Sequence, residues 1–161
     1  MKSISKLLFA GLLLLFYSCN KKPDSDQLVN SNASLPASFR FDRINWKVIN
    51  SFINKKAGTM STLFGNENAV KRLRENVDSV SVNEQLTLIT WKQREDEHWF
   101  GGKIPDQLLS AETIKTQILS SGQLTVKYEK YDGKELILNP DTLNNISRKT
   151  YILARKASIM P

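Results

Sequence analysis

An uncharged apolar run of eleven residues, Leu7–Tyr17 (LLFAGLLLLFY), lies between a lysine-bearing start and the only cysteine of the chain. As a helix it would reach about 16 Å, against about 30 Å for the hydrocarbon core of a bilayer, so it is too short to span a membrane. Lys2 and Lys6 precede it and small Ser18 follows it. That order is a signal peptide, Met1–Ser18, rather than a core helix. The fold must then be built from what comes after it.

Cys19 stands directly behind the run, where a bacterial lipoprotein signal places the residue that is acylated. Leu15-Phe16-Tyr17-Ser18-Cys19 departs from the strict lipobox at Phe16 and Tyr17 and keeps the small Ser18. Acylation at Cys19 is expected, with the membrane as a partner through that lipid anchor; each buried CH₂ of such a chain contributes about 0.8 kcal/mol. The expected location is the cell envelope, and Asn20 in place of Asp after the cysteine favours the outer membrane. Asn20–Ser38 is rich in Asn, Ser, Asp and Pro, a composition too polar to order itself, and is expected to act as a flexible tether of about 25 Å.

The chain has 161 residues, and those left after the signal suffice for one domain, expected over residues 39–161. Loss of Lys2 and Lys6 lowers the formal net charge from +7 to +5. The basic pairs Lys21-Lys22, Lys55-Lys56, Arg148-Lys149 and Arg155-Lys156 are scattered along the chain and read as solvated surface, with attraction to an anionic membrane surface as the alternative; no basic stripe points to nucleic acid. A single thiol excludes an internal disulfide framework, a cysteine zinc site and a CxxC redox pair.

From Phe39 onward the periodicity is mostly that of strands. Trp46–Phe52 and Thr59–Phe64 form an expected hairpin around Lys55–Gly58, with Trp46, Val48 and Phe52 on one face and Ile49 and Ile53 on the other. Asn66 as N-cap, Glu67 in the first turn and apolar Ala69, Val70, Leu73 and Val77 at helical spacing predict a short helix from Glu67 to Asn76. Gln85–Trp91 is the strongest strand, with Leu86 and Leu88 on one side and Ile89 and Trp91 on the other. His98–Pro105 is expected to return beside it. Ala111–Leu119 fits either helix or strand and leans to strand. Leu124–Tyr131 alternates, Asp132-Gly133 predicts a two-residue type I′ turn, and Glu135–Leu138 runs back. Lys149–Ala154 is expected as a closing strand. The sum is an α+β fold, an antiparallel meander-like sheet with one or two short helices on a face.

The order of certain segments carries a family resemblance. These are Leu63-Phe64-Gly65-Asn66-Glu67-Asn68-Ala69, Leu88-Ile89-Thr90-Trp91, His98-Trp99-Phe100-Gly101-Gly102-Lys103-Ile104-Pro105, Tyr131-Asp132-Gly133 and Ala157-Ser158-Ile159-Met160-Pro161. Together they resemble the small lipoproteins of Bacteroidetes that carry a cytochrome P-460-like domain, over about residues 41–161. The resemblance implies a fold whose name-giving members hold a c-type haem, attached through CxxCH and cross-linked to a lysine, and oxidise hydroxylamine. This sequence has no CxxCH, which excludes covalent haem c. No haem ligand and no cross-linking lysine can be carried onto a numbered residue. No cofactor is therefore expected, with non-covalent haem as the alternative.

His98 is the only histidine, beside Glu95, Asp96 and Glu97. Neighbours on an extended chain diverge, so these four do not make a metal site, and none is expected. Trp91, Trp99 and Phe100, with His98, are the candidate lining or filling of a pocket. No GxSxG, SxxK or HExxH pattern is present, and no catalytic residue is assigned. The expected function is a non-enzymatic envelope module that binds a protein or small molecule; the alternative is a non-covalent haem protein for redox or gas-binding work.

Overall fold

A computed structural model of the chain describes residues 29–39, 46–143 and 145–158. The signal segment and Cys19 lie outside the described residues. Among the described residues six strands form one sheet in sequence order: β1 (Lys47–Asn54), β2 (Thr59–Gly65), β3 (Gln85–Glu95), β4 (Lys103–Ile118), β5 (Leu124–Asp132) and β6 (Ile137–Leu138). Every neighbouring pair is antiparallel, so the sheet is a meander. Among the described residues two short α-helices accompany it, α1 (Glu67–Arg74) between β2 and β3 and α2 (Ile146–Leu153) after β6, with a 3-10 turn at Pro140–Thr142 leading into α2. The coarse expectation, α+β with an antiparallel sheet, is what is observed.

The alternation in β3 sorts its residues onto two faces. Leu86 and Leu88 join Leu63, Ile114 and Tyr128 in one buried cluster, which both helices cap through Ala69, Val70 and Leu73 of α1 and Ile152 of α2. Ile89 joins Leu108, Ala111 and Leu136 in a second cluster. The described residues 31–39 reach this second cluster at two positions, Leu35 within the segment expected as a tether and Phe39 at the start of the expected domain. Leu35 and Phe39 pack on it, and Phe39 meets Tyr131 edge-on with centroids 5.8 Å apart. Isolated apolar residues in a polar stretch give no periodicity, yet two of them suffice when a sheet face awaits them.

Helix α1 follows from its cap. The Asn66 side chain accepts from the N–H groups of Ala69 and Gln85, each at 3.1 Å, and donates to the Asn83 carbonyl at 2.7 Å. Basic residues crowd the last turn, where the helix dipole favours them. The helix ends at Arg74, two residues before the expected Asn76, which adopts φ 52°.

Several expectations are corrected. In β1 a bulge between Val48 and Asn50 shifts the alternation. Ile49 and Phe52 therefore share the helix-covered face, while Val48 and Ile53 are exposed. Residues 98–102 are a loop, not a strand: the Asp96 carboxylate accepts from the His98 N–H at 2.9 Å and closes a turn, so β4 starts only at Lys103. From there one long strand runs through Ala111 to Ile118. The β5–β6 connection has four residues, 133–136, because Tyr131 pairs with Leu138 and Asp132 with Ile137. Gly133 does take a positive φ of 75°, and Leu136 joins it at 50°. Lys149–Ala154 lies mostly within α2. Its β-branched and aromatic residues favour a strand, but Asn145 caps a helix by accepting from the Arg148 N–H at 3.0 Å, and burying Ile152 fixes it there.

Candidate functional site

Trp91 is half-buried on β3 and its indole N–H donates to the Ala33 carbonyl at 2.8 Å. His98, Trp99 and Phe100 sit in the β3–β4 loop, with the His98 side chain 92% exposed and Trp99 and Phe100 75% and 105% exposed. The expected core or pocket role of Trp99 and Phe100 is not what the structure has, and Trp91 does not converge with them. Of the acidic neighbours of His98, Glu95 pairs with Lys103 and Glu97 with Arg94 at 2.9 Å, while the Asp96 carboxylate accepts from the His98 N–H and lies 3.7 Å from its ring Nδ1. Among the described residues no group of three or more His, Cys, Asp or Glu side chains is arranged for a metal ion. Non-covalent haem needs an axial ligand opening on an apolar cavity, and these four residues do not fit one.

The polar groups that do converge lie on the helix-covered face. Glu112 of β4 is buried at 2% exposure. It accepts from the Tyr128 hydroxyl at 2.6 Å and from Arg148 of α2 twice, Nε to Oε2 at 2.8 Å and Nη2 to Oε1 at 2.6 Å. Burial first and then the adjacent carboxylate hold the Tyr128 hydroxyl well above its ordinary titration range. The hydrogen bonds of Glu112 likewise raise the Arg148 guanidinium, against its partial burial. The carboxylate is thus fully engaged, and Arg148 is fixed in place.

Beside this triad a groove of about 680 Å³ opens between α2 and the β1–β2 turn. Its floor holds the Ser61 and Thr90 hydroxyls, 2.9 Å apart. One wall is the Lys55-Lys56 turn; the other is Arg148, Tyr151 and Arg155. The Arg155 guanidinium stacks 3.7 Å from the centroid of the Tyr151 ring and 4.9 Å from that of Phe52, and Arg148 lies 4.6 Å from Tyr151 on the same helix. Each such contact is worth about 0.5–1 kcal/mol at a partly exposed site and orders the long side chains. No Asp or Glu lines the groove. Lys55, Lys56 and Arg155 make no ion pair with the described residues. Lys55, Lys56, Arg148 and Arg155, members of basic pairs scattered along the sequence, are gathered here by the fold.

Nothing in strand periodicity singles out Glu112, Tyr151 or Arg155. The signal exists in the spacing Arg148, Tyr151, Arg155, which places all three on one helical face but splits them across a strand. No family model and no curated protein sequence matches the chain.

Proposed function

We propose that the chain is a cell-envelope lipoprotein, acylated at Cys19, whose cytochrome P-460-like domain is a non-enzymatic module that binds an anionic ligand in the α2 groove. The observation that carries this reading is the absence of any carboxylate from a groove walled by Lys55, Lys56, Arg148 and Arg155. A ligand bearing carboxylate, phosphate or sulfate groups would meet Arg155 already oriented by two rings and the one hydroxyl proton that the mutually bonded Ser61–Thr90 pair leaves to donate. The Glu112 carboxylate that grips Arg148 is itself engaged by Tyr128 and by both Arg148 hydrogen bonds, so its charge is matched within the triad and not presented to the groove. The groove therefore has the chemistry of recognition.

Calorimetric titration of the full chain with inorganic phosphate and with a sulfated oligosaccharide tests this. Saturable binding that weakens as salt is raised is the expected result. Arg155→Ala should weaken it about tenfold, the loss of one charge-assisted contact. Binding of neither probe, or binding untouched by Arg155→Ala and by Lys55→Ala with Lys56→Ala, rejects the groove as the site.

A further inference from the structure

The β3–β4 loop presents the two most exposed large aromatic side chains among the described residues, Trp99 at 75% and Phe100 at 105% exposure. The loop that carries them is closed on itself. Asp96 N–H donates to the Gly102 carbonyl at 3.0 Å, Gly102 N–H to the Trp99 carbonyl at 2.9 Å, and the Asp96 carboxylate accepts from His98 N–H. Such a closed turn holds both rings in water, where burying either would be favourable by about 1.5–3 kcal/mol. Adjacent exposed Trp and Phe at a loop tip have the chemistry of a surface waiting for an apolar or interfacial partner.

The chain itself indicates which partner. Its incoming segment is fastened to this same hairpin: Leu108 N–H donates to the Asn32 carbonyl at 2.9 Å and Trp91 Nε1 to that of Ala33 at 2.8 Å. Trp91 and Leu108 face each other in the ladder, and the last pair before the loop is Glu95 with Lys103, about 13 Å further along. Cys19 precedes Asn32 by 13 positions, which span at most about 45 Å when fully extended. A membrane that holds Cys19 is therefore within reach of the tip, and the attachment brings the chain to the hairpin that bears the aromatic pair. The charges around the tip nearly balance. Glu95 is paired with Lys103 and Glu97 with Arg94, and Asp96 adds one formal negative charge 3.7 Å from His98 Nδ1, so attraction to anionic lipid is not what would seat it.

We propose that the tip of the β3–β4 hairpin, Trp99 with Phe100, rests in the interface of the bilayer in which Cys19 is anchored. The proposal rests on the reading of Cys19 as the anchor. Indole and phenyl rings partition to the headgroup boundary, and one shallow contact added to the acyl chains fixes how the domain stands on the membrane.

The test places the full chain in neutral phosphatidylcholine–phosphatidylethanolamine vesicles containing brominated lipid and follows tryptophan quenching. Trp99→Phe keeps an aromatic ring at the tip and removes its reporter. Quenching present in the wild type and lost in Trp99→Phe supports the proposal. Cofloating protein whose fluorescence is unquenched overturns it and leaves the anchor standing. The same measurement on Cys19→Ala, with fatty-acid labelling of both chains, separates the two readings. A wild type that takes up no fatty acid yet shows Trp99 quenching would discard the anchor and keep the tip; an unlabelled wild type without quenching discards both. In Cys19→Ala, the further change of Trp99 and Phe100 to Ser should lower vesicle partitioning about tenfold. Partitioning that needs anionic lipid and ignores this pair instead would assign contact to the basic groove and overturn the proposal.

Discussion

Arg148 grips Glu112 with two parallel hydrogen bonds, at 2.8 and 2.6 Å, across 36 positions of sequence. The pair ties α2 to the middle of the sheet. Its carboxylate is 3% exposed and its guanidinium 38%, so the cost of separating them falls mainly on Glu112. Arg148→Ala would leave a buried charge with the Tyr128 hydroxyl as its remaining side-chain partner. Such a loss costs about 3 kcal/mol. Adding Glu112→Gln should recover part of it, since a neutral amide is cheaper to bury. Urea midpoints of the two single variants and the double variant measure this; losses that simply add would show that the two side chains are not coupled.

Tyr128 makes the same triad sensitive to alkali. Its folded titration lies above its ordinary value of 10.0, because burial and Glu112 disfavour the phenolate. The sign follows from linkage: a raised folded value contributes stability that is complete below pH 10.0 and is lost as pH climbs toward the folded value. Tyr131, also raised by burial and by Glu129, adds to the same slope. Thermal midpoints above pH 10 should fall more steeply for the wild type than for Tyr128→Phe, compared with each protein at pH 8. Parallel curves would remove Tyr128 from the account.

Much of the sheet was legible in the sequence because alternation reports burial on a face. Leu86, Leu88 and Ile89 sort as their spacing says, and Asn66 caps as its side chain predicts. What misled was local evidence overruled by distant contacts. Thr150, Tyr151 and Ile152 have strand propensity, but Ile152 must reach the cluster under α1 and α2, and a helix delivers it. The bulge at Val48 moved Ile49 to the opposite face from the one expected, without any glycine or proline to announce it. Trp99 and Phe100 looked like core because large aromatics usually are; their exposure is set by a turn that Asp96 nucleates. The groove was the least legible feature. Its cations come from two distant segments, and no spacing rule joins residue 55 to residue 155.

The β5–β6 turn gives a direct check on the backbone. Gly133 holds φ 75°, its N–H donates to the Leu109 carbonyl at 2.8 Å, and a Cβ there would meet nothing within 4 Å. Steric room is therefore not at issue, and any penalty is conformational. Gly133→Val should destabilise by about 1–3 kcal/mol, since a β-branched residue is strained at positive φ. Gly133→Asn should cost less, because Asn tolerates the left-handed region. Equal denaturation midpoints for the two variants would contradict this turn.

At Gly65 the restriction is the opposite one, space rather than backbone. It ends β2 opposite Leu86, where the sheet meets α1. A Cβ would lie 2.6 Å from Ile49 Cδ1 and 3.1 Å from both Ala69 Cβ and Leu86 Cδ2. Ile49 is 4% exposed and the other two are 0%, so the cluster has little freedom to give. Gly65→Ala should then cost about 1–3 kcal/mol through overpacking. Ile49→Val removes the one atom in severest conflict and by itself costs about 0.5–1.5 kcal/mol. In the Ile49→Val background, Gly65→Ala should be milder by about 0.5 kcal/mol or more, the coupling expected of touching residues. A urea-denaturation cycle of the four proteins reads that difference. Strict additivity would mean that Gly65 is kept for some reason other than the close approach of Ile49.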